Sequence, residues 1–535
     1  MNRFLLALTA MAAPALAYGQ TGGDQELNRG YAPWMTAWSP FGAMADLGQT
    51  VPAAARPIGL VAAPAPRVGL WWTAGLPAAL PFELSDAFTT FRAGVARTSG
   101  SYRRAMDPVD ETVAQASALA WRPIAASGAA VGSVVVDQEM TGARPFAVTL
   151  LPYTSDPFVI ADTTAPGTRR VRARLEGAFG WRVGPLGLGL SAGLEEGDQR
   201  TRDAAFPHFG RTATRAVRVG LAYIPVPALR VAAYGRWVRG SETVSLIPRP
   251  SAGTVLLIAG YHEPDSAAVA QQSFFFRRSE RLARAAGAAI GGRLLGAEWV
   301  VFAERAVRDN THYSAMVADP PTDRYDADGW TWGAAAQRWL FDQVLATAQA
   351  TRRTLDGYAQ RALLEGTIFR VIENELAISG ELRWVPAGSL WTAAVAYELT
   401  RSHRFRFDYI AEVKSDLVEW NPSVAAGLSR RIGPTTVGLG VAGAAYTAVG
   451  GIPDGNAMGP VYRTIVAPGL SLAATRARPV IGSASLGYQL GNGLTVVLDG
   501  QCATLHRVNP SITPTFTPDG HRTTWSVSLR LVRLQ

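Results

Sequence analysis

The chain has one cysteine in 535 residues, which excludes an internal disulfide framework and a multi-cysteine metal site. Lysine is as scarce. Lys414 stands alone, so a formal net charge of +9 rests almost entirely on arginine. Long apolar runs are missing too: beyond the first twenty residues none approaches the roughly eighteen needed for a membrane-crossing helix, although 48% of the residues are hydrophobic. No linker, charge run or change of composition marks a domain boundary after about residue 90, and no H-x-x-H or H-E-x-x-H spacing is present. These absences set aside zincin-type catalysis. Basic helices and basic patches are also lacking, which sets aside nucleic acid as a partner.

What is present begins with export. Arg3 supplies a charged n-region, Phe4 to Ala13 an apolar h-region and Ala15-Leu16-Ala17 a cleavage site, so residues 1–17 are expected to be a secretory signal. The most informative stretch is Arg170 to Val183. Val171, Ala173, Leu175, Gly177, Phe179 and Trp181 share one parity, and Arg170, Arg172, Arg174, Glu176 and Arg182 share the other. A strand sends successive side chains to opposite faces, so this segment has an apolar wall and a charged wall. Similar segments recur to the last residue. The expectation is an all-β, transmembrane antiparallel β-barrel in a Gram-negative outer membrane, the solution that leaves no backbone polar group unpaired in lipid.

Both termini of such a barrel face the periplasm, where turns are short. Short turns are predicted at Gly184-Pro185, Pro225-Val226-Pro227, Gly291-Gly292, Phe341-Asp342, Pro386-Ala387-Gly388, Ile432-Gly433-Pro434 and Leu490-Gly491-Asn492-Gly493. Long polar outer loops are predicted near 198–212, 241–280, 308–328, 354–373, 403–419, 447–479 and 506–521. The count is about 18 strands (range 16–22), the first rising near Phe88, with the strand-like segments 254–262, 359–371 and 464–475 assigned to outer loops. Residues 88–535 form the barrel. Residues 18–87 alternate poorly and are read as a periplasmic extension or a plug in the lumen.

Function would sit on the inward wall, because charge facing lipid costs about 2–4 kcal/mol at the midplane. The candidate lumen and solute-binding residues are Arg170, Arg172, Arg174, Arg182, Arg218, Arg230, Arg236, Glu176 and Tyr234, joined by Glu195, Glu298, Glu304, Glu381, Arg383, Gln343, Gln349, Gln489, Asp499, Gln501 and Arg530. An arginine ladder can select anions through its field and bidentate hydrogen bonds. Interspersed acids favour an internal ion-pair network that packs the lumen or holds the plug. Trp181, Tyr223, Trp237, Trp384, Trp391, Tyr488 and Trp525 fit headgroup girdles, and Cys502 fits a lipid-facing position. His208, His262, His312, His403, His506 and His521 fall in or beside outer loops, Ser402-His403 and Thr504 with His506 offer only ingredients of a hydrolase site, and no metal, cofactor or catalytic residue is expected.

W-S-P-F-G (Trp38 to Gly42), G-S-Y-R-R (Gly100 to Arg104) and G-D-Q-R-T-R-D (Gly197 to Asp203), in that order, resemble an uncharacterised family of bacterial outer-membrane barrels. The first segment also looks faintly like the asparagine-proline-alanine start of long-chain fatty acid transporter barrels, which have an N-terminal plug, although that asparagine is lacking. The resemblance implies an outer-membrane barrel and carries over no catalytic residue. The expected role is binding or passage of a small anionic or amphipathic solute through a partly plugged lumen, with outer-membrane lipid as partner. The alternatives are a non-conducting structural barrel that docks a periplasmic or surface protein and, third, a hydrolase at the rim.

Overall fold

The computed structural model describes residues 76–83, 87–101, 107–143, 156–162, 167–201, 208–226, 228–246, 255–267, 275–314, 323–341, 343–361, 364, 366–384, 386, 389–452, 462–467, 470–471, 476–491, 493–509 and 520–534. The expected signal peptide, most of the 18–87 segment, the W-S-P-F-G motif and His208's surroundings at 202–207 lie outside them. In chain order the strands are β1 (Phe88–Gly100), β2 (Asp110–Ile124), β3 (Gly128–Ala143), β4 (Phe158–Asp162), β5 (Gly167–Val183), β6 (Leu186–Thr201), β7 (His208–Val226) and β8 (Leu229–Leu246). Then come β9 (Val255–Ala259), β10 (His262–Ala267), β11 (Phe275–Leu294), β12 (Ala297–Ser314), β13 (Asp323–Leu340), β14 (Val344–Arg361) and β15 (Gly366–Trp384). The last are β16 (Trp391–Asp408), β17 (Val413–Ile432), β18 (Thr435–Ala444), β19 (Thr447–Gly451), β20 (Arg476–Gln489), β21 (Leu494–Asn509) and β22 (His521–Leu534).

Each wall strand pairs antiparallel with its neighbours, and β1 closes the ring against β22 from Phe88 opposite Leu534 to Gly100 opposite Arg522. β18 and β19 both pair with β17, at successive positions, and are one wall strand interrupted at 445–446. The wall is therefore a closed 18-strand barrel. β4, β9 and β10 stand apart as a three-stranded sheet made from two connections.

The alternation read from the sequence is the alternation of the wall. Along β5, Arg170, Arg172 and Arg174 are buried while Val171, Leu175, Phe179 and Trp181 are 39–59% exposed on the outside. Leu186, Leu188 and Leu190 continue that outer apolar belt on β6. Closure pairs every strand edge, and the belt meets hydrocarbon, which is what an outer-membrane location requires. Trp181, Tyr223, Trp237, Trp384, Trp391, Tyr488 and Trp525 all lie on the outer face, as does Cys502. Trp121 does not: it points inward from β2, 1% exposed.

Both ends of the wall, Phe88 and Leu534, stand at the end with the short connections, the periplasmic end. One expected turn is misplaced. Gly291-Gly292 lies inside β11, and the chain reverses at Leu295-Gly296, both at positive φ (52° and 76°). Gly292 is glycine for another reason: a Cβ there would stand 2.1 Å from the Ala228 carbonyl oxygen of the neighbouring turn. The outer loops are shorter than expected, since β12 runs to Ser314 and β14 and β15 carry the hairpin up to Arg361 and Gly366. Strands of up to twenty residues, as in β11, far exceed the roughly 9–11 needed to cross a bilayer. Above the membrane both faces meet polar surroundings, so apolar alternation ends while backbone pairing continues. Within the expected loop segments, 255–262 is the loop strand β9 with its turn, outside the wall, whereas 359–361 and 366–371 belong to the wall and Tyr462–Val466 is a helical turn.

Candidate functional site

The inner face of β5 carries Arg170, Arg172 and Arg174, each 7–8% exposed, and across β6 stand Arg218 on β7 and Arg236 on β8, each 1% exposed and directly opposite one another in register. A strand pair places the partner acids. Asp137 on β3 lies opposite Arg172, and Glu195 on β6 lies opposite Arg174. Arg172 Nε donates to Asp137 at 2.8 Å and Arg174 Nη2 sits 2.7 Å from Glu195. Arg170 lies 3.7 Å from Glu139, Arg174 3.9 Å from Glu176, and Arg230 3.7 Å from Glu298.

Deeper across the lumen, Glu304 of β12 accepts from Tyr234 Oη at 2.8 Å and from Arg236 Nη2 at 3.2 Å, while Arg218 lies 5.2 Å over the Tyr234 ring. Both members of the Arg236–Glu304 pair have side chains 1% exposed. Such a pair holds its geometry firmly, since removing one member strands a charge away from water. Arg182 differs: it is exposed near the periplasmic turn, donates to the Ala126 carbonyl at 2.9 Å and lies 5.9 Å over the Phe82 ring. Glu381, Arg383, Gln349, Asp499, Gln501 and Arg530 also face inward, with Arg530 held by Asp499 at 3.0 Å. Gln343 instead sits in a periplasmic turn, because the chain reverses there before parity is re-established.

Described segments of the chain fold into the lumen at both ends. At the periplasmic end Pro77–Ala79 and Leu80–Glu83 form two short helical turns against the inner wall. Leu76, Ala78, Ala79 and Leu80 are fully buried, and the first three pack with Ala222, Tyr234, Ala289, Val300 and Phe302. Glycine makes this seat. A Cβ at Gly189 would lie 2.1 Å from the Ala78 nitrogen, and one at Gly187 2.3 Å from the Ala78 oxygen, so only bare backbone lets the turn lie so close to β6.

At the outer end the β4–β9–β10 sheet lies against one sector of the wall, from β11 to β17. On one side the Asp156 carboxylate accepts from Asn310 Nδ2 at 2.7 Å and from the Phe158 amide at 3.1 Å, and pairs with His312 Nε2 at 2.9 Å. Burial alone would raise the Asp156 pKa; the field of His312, with its hydrogen bond, Arg308 and Asn310, outweighs it and holds the carboxyl far below the usual range. On the other side the Tyr261 amide donates to Asp408 of β16 at 2.8 Å, and its hydroxyl meets the Ser415 hydroxyl of β17 in a short contact. Burial pushes the Tyr261 pKa up to about 12. Tyr261 also sets its ring edgewise against Phe369 and Tyr462. With Phe158, Tyr325, Leu355 and Leu470 these form an apolar cluster.

This packing was not legible from composition, since the side chains that hold it come from segments far apart in the chain. Two histidines correct the expected pattern of loop histidines. His312 lies within β12, facing inward and 5% exposed, and His403 lies within β16 on the outer face, 2.7 Å from Asp416. Ser402 faces inward, so the wall separates it from His403. Among the described residues no group of three potential metal ligands comes together.

No known family and no curated protein matches the chain in sequence. In structure it is similar to the alcaligin outer-membrane receptor FauA from Bordetella pertussis, at 9% identity and TM-score 0.41, over 84% of this chain and 76% of that one. It is also similar to the copper transporter OprC (9%, TM-score 0.39, 85% and 81%) and to the ferric preacinetobactin receptor BauA from Acinetobacter baumannii (9%, TM-score 0.38, 84% and 80%). Likeness of this degree assigns neither family nor solute, and it lends the fatty acid transporter resemblance no support.

Proposed function

We propose that the chain is an outer-membrane conduit that binds and passes a small amphipathic solute with an anionic group, gated by its outer sheet and held shut inside by the Pro77–Glu83 turns. One observation carries this reading: the apolar cluster of Phe158, Tyr325, Phe369 and Tyr462 lies inside the same barrel as the arginine and carboxylate wall, so the lumen offers both surfaces such a solute needs. An 18-strand ring leaves room for an aqueous channel once its closures move. Arg170, Arg172, Arg174, Arg182, Arg218, Arg230 and Arg236, with Glu176 and Tyr234, would contact the anionic end by exchanging carboxylate partners for the solute.

The test is conductance and liposome swelling. Swelling in an anionic solute should exceed that in a cationic one of equal size, and the difference should disappear in R172Q/R174Q/R218Q. Equal rates for both solutes in the parent would sink the anionic preference. A second reading, a structural barrel that docks a protein partner and conducts nothing, is favoured by the ion pairs that already engage Arg172, Arg174 and Arg236. It expects silence in every form, including variants whose outer closure is cut.

A further inference from the structure

The lumen absorbs the inward arginines; a second group of arginines faces the other way. Arg215 of β7 and Arg239 of β8 are directly opposite each other in register, both on the outer face. Arg284 of β11 is opposite Trp237, so it stands diagonal to Arg239 on the same face. Directly opposed side chains lie about 4.5–5.5 Å apart at Cβ and diagonal ones about 7–8 Å, which places like charges where they repel. A guanidinium cannot relieve that by losing its proton.

Nearby acids are engaged by other arginines: Glu196, diagonal to Arg215, lies 3.8 Å from Arg211, and Asp309, diagonal to Arg284, lies 3.4 Å from Arg324. Arg239 is 3.7 Å from Glu280, and Glu280 is also engaged by Arg278 in a closer pair. Among the described residues neither Arg215 nor Arg284 has an ion pair, whereas Arg305, two strands from β8, has its own carboxylate, Asp328, at 2.6 Å. Height decides what could supply the missing charge. Val217 lies one outward step below Arg215, and Trp237 one step below Arg239, 42% and 49% exposed in the apolar belt. Arg215 and Arg239 therefore stand where hydrocarbon gives way to headgroups, on the outer side, and Arg284 stands one step lower, level with Trp237. Arginine stems can lie along the belt with their forks raised to that level.

We infer that Arg215, Arg239 and Arg284 form an exterior binding site for a phosphate-bearing lipid of the outer leaflet. Its phosphate oxygens would accept bidentate hydrogen bonds from the forks, and its acyl chains would lie on Val217, Trp237 and Ile290. The site is independent of whether the lumen conducts.

Native mass spectrometry of the full chain in a neutral maltoside detergent tests this, with phosphatidate, phosphatidylcholine or inorganic phosphate added. Phosphatidate should be retained and phosphatidylcholine should not. Each arginine near a charged membrane surface contributes about fivefold, so R215Q/R239Q/R284Q should weaken phosphatidate binding about a hundredfold. R305Q, whose arginine is already paired, should leave it unchanged. Equal binding by the triple variant and the parent overturns the site, and so does displacement of phosphatidate by inorganic phosphate at equal concentration, which would mark a simple anion site. If the triple variant does not fold, R215Q and R284Q singly should each lose about fivefold, and parent-like affinity in both overturns the proposal.

Discussion

Replacing Asp156 by Asn tests the gate at its outer latch. Asp156 belongs to a connection between wall strands, and its carboxylate meets two wall side chains, Asn310 Nδ2 at 2.7 Å and His312 Nε2 at 2.9 Å. Hydrogen bonds to a charged group contribute about 1.5–3 kcal/mol each, and an Asn carbonyl would keep only part of that, so the closed form should lose about 2–4 kcal/mol. That shift multiplies the open-to-closed ratio by about 30- to 1,000-fold. The wall does not depend on this side chain, because every wall strand is paired on both edges. D156N should therefore show the parent's heat-modifiable gel migration while its opening frequency in planar bilayers rises by at least an order of magnitude. If D156N inserts normally and its opening frequency stays within about threefold of the parent, the sheet is not the gate and this reasoning fails.

The same latch predicts a pH profile. The folded Asp156 pKa is depressed, so its contribution is complete above the free value of about 4 and is lost as pH falls below it. The folded Tyr261 pKa is raised to about 12, so its contribution is complete below about 10 and is lost as pH rises toward 12; bilayer recordings should show the mouth opening as pH falls below about 4 and as it rises above about 10. Glu304→Gln should destabilise the barrel by about 3–5 kcal/mol in detergent-phase thermal unfolding, because it leaves Arg236 buried without its counter-charge; E304L/R236M should recover much of the loss. Gly189→Val should push the Pro77–Ala79 turn off β6 and raise protease access from the periplasmic side, at a strain of about 1–3 kcal/mol. Leu188→Arg on the lipid face should cost about 2–4 kcal/mol in folding equilibria in lipid, whereas an outer-loop substitution should cost little.

The sequence by itself determined the wall. Alternation along Arg170–Val183 fixes which face meets lipid, because charge cannot face hydrocarbon cheaply, and the same parity located Arg172, Arg218 and Tyr234 inside before any coordinates. The ring size followed from turns placed between such segments. Tertiary structure alone decided what the charges do. Arg174 and Glu195 are cross-strand neighbours, and Arg236 and Glu304 lie two strands apart; register brings both pairs together, and parity within one strand is blind to register. The same holds for the two closures: Asp156 with His312, Tyr261 with Asp408, and Ala78 on Gly189 join positions more than a hundred residues apart. No periodicity records such contacts, because they are set by how a closed ring folds its loops and N-terminal segment back into its own interior.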